Sequence, residues 1–237
     1  MIVLFTDFGL AGPYTGQVLA VLQREAPAVP AVSLFADAPA GMPKPSAYLL
    51  AAYAAWFPLG TVFLAVVDPG VGGPRGALIA EADGRCYVGP DNGLFELLLR
   101  RSATQRCWEI AWQPPALSAS FHGRDLLAPV AARLAIGQAA SRLGKPVAPM
   151  RKPSWPDDLA EIVYIDHYGN AMTGLRGAAV PAAARVAGVA PAETFSAVAE
   201  GEAFWYVNSN GLVEIAVNRG RADRVLGLAV GTPVSIA

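Results

Sequence analysis

Asp68 and Arg75 stand on either side of Pro69-Gly70-Val71-Gly72-Gly73-Pro74, an acid and a base separated almost entirely by turn formers. Glycine lets a backbone curl against a ligand and return. An Asp–Arg pair across such a loop is either a salt bridge that holds the turn or a way to fix a guanidinium beside a bound water. There its charge would favour hydroxide over water, and a neighbouring imidazole could accept the proton or orient the water. One of the chain's two histidines, His122, lies in Ser120-Phe121-His122-Gly123-Arg124-Asp125, just ahead of a helical pattern. A lone histidine is often structural; convergence with Asp68 and Arg75 would make it catalytic. Asp7, in Thr6-Asp7-Phe8-Gly9, is a strand-end carboxylate that either caps the next turn or accepts from two ribose hydroxyls. Asp91 and Asn92 fit an N-cap ahead of Leu94-Phe95-Glu96-Leu97, and Asp125 fits the same role for the following helix.

The elements that must carry these groups alternate. Ile2–Thr6, Ala31–Phe35 and Thr61–Val67 are short apolar strands, and Tyr14–Glu25, Ala47–Phe57, Leu94–Arg100 and Leu126–Gly137 have helical spacing. Ala77–Ala82 and Arg85–Val88 read as a hairpin about Asp83-Gly84. The pattern predicts an α/β fold: a mostly parallel sheet sandwiched by helices, with ligands beyond the carboxyl ends of its strands. Prolines 146, 149, 153 and 156 mark a linker over 146–158. Residues 1–145 form the α/β domain with the chemical residues. Residues 159–237 form a small β-barrel or sandwich, with strands at Glu161–Ile165, Phe204–Val207, Leu212–Val217 and Pro233–Ile236, and further candidates at Ala182–Val186 and Glu193–Val198.

Composition excludes several classes. Hydrophobic residues make up 54% and charged ones 16%, enough for a sizeable core and too few charges for disorder. The formal net charge is −1 with no basic block, so no nucleic-acid partner is expected. The charge-free run between Lys44 and Asp68 is long enough for a bilayer, but Pro58-Leu59-Gly60 divides it into a helix and a strand, so no membrane span is expected. Neither a dinucleotide fingerprint nor a phosphate-binding lysine loop follows any glycine cluster. Met1-Ile2-Val3-Leu4-Phe5-Thr6 reads as a buried strand without the features of a signal peptide. Cys86 and Cys107 lack metal-ligand spacing and read as buried thiols of a reducing, cytoplasmic setting.

Taken in order, these clusters resemble the S-adenosyl-L-methionine hydrolases (adenosine-forming), or hydroxide adenosyltransferases, relatives of the fluorinating and chlorinating enzymes. The resemblance runs through Thr6–Gly9, Phe57-Pro58 with Gly60-Thr61-Val62, Val66–Arg75, Pro90–Gly93 and Phe121–Asp125 with Ala128–Ala132. It continues at Asp166-His167-Tyr168-Gly169-Asn170 and at Asn208-Ser209-Asn210-Gly211 with Glu214–Asn218. It implies a catalytic set at Asp68, Arg75 and His122, and ribose binding at Asp7. It further implies contacts from Asp166 to the substrate amino group, from Asn170 to the adenine edge and from Ser209 to the carboxylate. It implies no metal and no cofactor, S-adenosyl-L-methionine being the substrate. It also implies a homotrimer, each site lying between the first domain of one subunit and the second domain of its neighbour. Because the aspartate after the strand and the His-Gly-Arg-Asp segment are kept, the chain resembles the hydrolases rather than the halogenating enzymes.

The chain departs from the family at Ser33-Leu34-Phe35-Ala36-Asp37, where an Asp-x-Thr-His segment is usual, and in the loop Gly41-Met42-Pro43-Lys44-Pro45. Gly12 replaces a common acid, and Tyr168 and Thr173-Gly174 replace the usual Phe and Thr-Asn. Two other functions compete: a non-catalytic adenosine or S-adenosylmethionine binding module, and a metal-dependent hydrolase using Asp7, Asp68, Asp91 and His122.

Overall fold

A computed structural model describes residues 1–149, 151–152 and 154–237. It divides into two compact units, Met1–Lys152 and Pro153–Ala237.

The first unit holds seven strands, β1 (Ile2–Thr6), β2 (Ala31–Phe35), β3 (Val62–Val66), β4 (Ala77–Ala82), β5 (Arg85–Pro90), β6 (Gln105–Ile110) and β7 (Gly144–Pro146), in the order β2-β1-β3-β5-β4-β6-β7. The strands β2, β1, β3 and β5 run parallel, while β4, β6 and β7 pair antiparallel. The sheet is therefore mixed rather than mostly parallel. The cause is local: Asp83 and Gly84 both have positive φ, 45° and 77°, as a two-residue hairpin turn demands, so β4 folds back on β5. Two strands that antiparallel pairing alone secures, β6 and β7, then extend that edge.

In the parallel half, β1 and β3 are buried on both faces, as helices on each side require. Ile2, Leu4, Val62, Leu64 and Val66 pack with Val18 and Leu22 of α1 (Tyr14–Glu25) and Val130 and Ala131 of α4 (Ala128–Ala135). The opposite face is aromatic. Phe5 meets Phe35, which meets Tyr53 of α2 (Pro43–Ala54). Phe63 stacks on Tyr87, and Tyr87 meets Phe95 at the start of α3 (Glu96–Arg101). The charge-free run of the sequence is thus helix α2 followed by strand β3, and among the described residues no helix is long and apolar enough to cross a membrane. Of the proline-rich stretch, Met150 and Pro153 lie outside the described residues. Within it, Arg151 and the Lys152 amide both bind the buried carboxylate of Glu96, at 3.0 Å each.

The second unit is a five-stranded sheet of β8 (Leu159–Ile165), β9 (Ala171–Arg176), β10 (Ala190–Pro191), β11 (Ala203–Val207) and β12 (Leu212–Val217), ordered β10-β11-β12-β9-β8, followed by the short helix α5 (Ala222–Val225). Ile162, Leu175, Val186, Trp205, Val213 and Ile215 form its core. The expected strand at Pro233–Ile236 adds only single bridges, Glu161–Pro233 and Val186–Ile236. Ala182–Val186 forms no regular strand, and Glu193–Val198 contains a 3₁₀ turn at Phe195–Ala197.

Candidate active site

The register of β1 against β3 pairs Thr6 with Val66, so the chain leaves both strands at the same edge with Asp7 and Asp68 close behind. Asp68 receives Arg75 in a two-pronged ion pair: Arg75 Nε donates to Asp68 Oδ1 at 2.8 Å, and Nη2 donates to Oδ2. The two side chains are 10% and 5% exposed, for arginine and aspartate respectively, so the pair is largely withdrawn from water. A fork-to-fork arrangement fixes the guanidinium plane as well as its distance.

His122 completes the group, with Nδ1 3.2 Å from Arg75 Nη2. Arginine only donates, so Nδ1 is the acceptor and the neutral ring carries its proton on Nε2. Burial, and then the Arg75 charge, holds the imidazole below its ordinary range, which favours that neutral ring. The three residues that sequence spacing could only suggest are therefore joined through Arg75, which contacts both Asp68 and His122.

The glycines between Asp68 and Arg75 serve a close approach. Gly72 has a φ of 76°, and a Cβ there would lie 2.5 Å from the carbonyl oxygen of Ala119. The loop thus packs by its bare backbone against the segment leading to His122. That segment is held by Asp125, whose Oδ2 accepts from the Ser118 amide at 2.9 Å while Oδ1 accepts from Arg124 Nε at 2.6 Å. His122 itself precedes a single π-helical turn, Gly123–Leu127, that runs into α4. The N-cap expected of Asp125 is not formed; the carboxylate ties the 118–121 loop instead. Asn92 likewise works differently from a simple cap. Its Oδ1 accepts from the Leu94 amide at 3.2 Å, and its Nδ2 donates to the Val67 carbonyl at 2.9 Å, bracing the residue before Asp68.

Asp7 is half-buried. Its Oδ2 accepts from the Gly41 amide at 2.8 Å, and burial raises its carboxyl above the ordinary aspartate value despite that bond. Phe8, Tyr14 and Phe121 form an aromatic wall next in sequence to Asp7 and His122, with Phe121 edge-on to the other two at 5.6 and 5.5 Å. Among the described residues, no three His, Cys, Asp or Glu side chains gather so as to hold a metal ion. Both cysteines are free thiols, their pKa pushed up to about 11, chiefly by burial.

The second unit contains a cavity of about 610 Å³ lined by Asp166, Asn170, Phe195, Tyr206, Glu214 and Arg219 among others. Asp166 and Asn170 form one rigid turn. Asp166 Oδ1 accepts from the Asn170 amide at 2.8 Å and Oδ2 from Asn170 Nδ2 at 2.9 Å, so the amide nitrogen of Asn170 is committed to Asp166. Ser209 does not line this cavity; it is exposed on the 208–211 turn. Sequence reasoning gave Glu214 no role and read Asn92 only as an N-cap, not as a brace on Val67. The available signal for Glu214 was one acid inside the apolar run Leu212-Val213-Glu214-Ile215-Ala216-Val217.

The N-terminal domain of the SAM hydroxide adenosyltransferases matches residues 2–144, and the C-terminal domain of that family matches residues 160–235. The chain belongs to this family. A curated (R)-S-adenosyl-L-methionine hydrolase of Thermus thermophilus is 40% identical, the alignment covering 98% of this chain and 97% of the relative. One of the same name from Salinispora tropica is 36% identical over 95% of this chain and 93% of its own. Among solved structures, a conserved protein of Thermotoga maritima aligns over the whole of both chains with a TM-score of 0.87 and 30% identity. A conserved protein of Thermus thermophilus aligns over 100% of this chain and 99% of its own, with a TM-score of 0.80 and 39% identity.

Proposed function

We propose that the chain hydrolyses (R)-S-adenosyl-L-methionine to adenosine and L-methionine. The observation that carries the reading is the buried Asp68–Arg75 pair with His122 Nδ1 in contact with the same guanidinium, in a chain of this family.

The substrate dictates what the site must supply. A sulfonium leaves as a neutral thioether, so no acid is needed for the leaving group. Water is the weak partner. The water bound beside Arg75 gives up a proton to solvent; the resulting hydroxide oxygen attacks C5′, and the C5′–S bond breaks with its electron pair going to sulfur. Arg75 stabilises the negative charge on the hydroxide. His122, with its proton on Nε2, donates to that oxygen and leaves a free lone pair directed towards C5′. Asp68 positions Arg75. Asp7 accepts from the ribose hydroxyls, Asn170 meets the adenine edge, Asp166 the amino group and Ser209 the carboxylate. Alignment for in-line attack can contribute ~7–11 kcal/mol to such a step. No residue in this scheme calls for a metal or a cofactor.

The test is incubation with each sulfonium epimer in water enriched in oxygen-18. The expected products are methionine and adenosine labelled at the 5′ oxygen, from the (R) epimer. Intact substrate after prolonged incubation identifies a binding module instead. Unlabelled adenosine rules out direct attack by water.

The working assembly is a homotrimer in which a first unit and a neighbour's second unit supply the two halves of each site. Leu10 and Tyr168, 82% and 72% exposed, suit such a contact. Light scattering should give three times the 24.7 kDa chain mass. Two free thiols suit a cytoplasmic setting.

A further inference from the structure

Glu214 is a buried carboxylate, 2% exposed, in the middle of the apolar strand β12, and the scheme above gives it no task. It lines the cavity of the second unit. Both its oxygens are engaged. Oε1 accepts from the hydroxyl of Tyr206, its cross-strand neighbour on β11, at 2.5 Å. Oε2 accepts from Asn208 Nδ2 at 2.8 Å. The second bond matters because it fixes which way the Asn208 amide faces. With Nδ2 turned inward, Asn208 Oδ1 accepts from the amides of Asn210 and Leu212, at 3.0 and 3.1 Å. Those bonds, with Gly211 N to Asn208 O at 2.9 Å, close the 208–211 turn around Ser209.

We infer that Glu214 is a positioning residue: through Asn208 it holds the turn that presents Ser209, and so sets recognition of the carboxylate end of the substrate. An acid buried in a strand core costs stability unless it is well bonded, and burial raises its carboxyl above the ordinary value while Tyr206 and Asn208 work against that rise. A merely apolar strand needs no such group. A turn whose side-chain clamp must be fixed from beneath does.

The inference rests on the proposed role of Ser209, and the experiment separates the two. KM and kcat are measured with S-adenosyl-L-methionine and with its decarboxylated analogue, which has no carboxylate to hold. Ser209→Ala should raise KM for the intact substrate alone. Glu214→Leu should raise KM for the intact substrate about tenfold or more beyond any change with the analogue, with kcat nearly unchanged. Glu214→Gln, which can still accept from Asn208 and donate to Tyr206, should restore KM to within about threefold of wild type. Asn208→Ala, nearer the surface, should copy Glu214→Leu and serves if that variant does not fold. If Ser209→Ala is selective and both Glu214→Leu and Asn208→Ala leave KM unchanged, or weaken both substrates alike, the positioning role is wrong. If Ser209→Ala itself has no selective effect, the carboxylate reading fails and the inference falls with it.

Discussion

Replacing Asp68 with alanine removes one member of the buried pair and leaves the other. Arg75 would keep its charge in a place where its side chain is 10% exposed and where its Nε and one Nη donor lose their acceptor. Stranding one partner of a buried ion pair typically costs about 3–5 kcal/mol. In a domain of this size each kcal/mol corresponds to roughly 2–4 °C, so the melting temperature should fall by about 6–20 °C. Turnover should fall by ~10²–10³, the usual loss when a preorganised charge is no longer aimed at the reacting atom. The informative comparison is Asp68→Ala with Asp68→Ala/Arg75→Ala. The double variant strands no charge, so it should melt higher than the single, while turnover recovers nothing. Calorimetry and a chromatographic assay for adenosine measure both. Additive losses of stability, or wild-type turnover in the single variant, would refute the view that Asp68 acts by holding this guanidinium.

Arg75→Ala and His122→Ala should each lose most turnover yet still bind adenosine by calorimetry, because neither is assigned to the nucleoside; wild-type rates would remove that residue from the mechanism. The acid limb of kcat/KM should lie below the ordinary imidazole pKa of about 6.5, since burial and Arg75 depress His122 and the neutral ring is the working form. As pH falls through that depressed value the ring gains its proton and activity is lost, and a limb centred above 6.5 would contradict the assignment. Gly72→Ala should cost ~1–3 kcal/mol and at least about tenfold in activity, because its Cβ meets the Ala119 carbonyl at 2.5 Å. Gly70→Ala, whose nearest neighbour is Arg75 Cγ at 3.6 Å, should be tolerated, and equal damage from both would show that the close approach is not what matters.

Much of the fold is legible in the chain because its local signals agree. Ile2–Thr6, Ala31–Phe35, Tyr14–Glu25 and the Asp83-Gly84 hairpin occur where the patterns put them. The strands that escape notice lack a run of apolar residues. In β6, Gln105-Arg106-Cys107-Trp108-Glu109-Ile110, only Cys107, Trp108 and Ile110 are buried and the rest face outward, so the segment resembles a polar connection. In β9, Thr173 and Gly174 interrupt the run, and Thr173 is tolerated in the core because its hydroxyl donates to the Val213 carbonyl at 2.8 Å. The site divides in the same way. Asp68 and Arg75 are seven residues apart and invite pairing, but His122 is 47 residues beyond Arg75. The packing of the Gly72 loop against Ala119 is one of the long-range contacts beside that meeting point. The use of Asn92 to brace Val67 depends on a contact across 25 residues that no local pattern encodes.

The bond from the Gly41 amide to Asp7 has a consequence for the segment from Ser33 to Pro45. A main-chain donor is the same whichever side chains flank it. The segment from Ser33 to Pro45 can therefore change its lettering without surrendering its grip on the strand-end acid, so long as its path through space is kept. Grafting a relative's loop of equal length onto this chain should leave that anchor standing, whereas inserting one extra residue before Gly41 should break it.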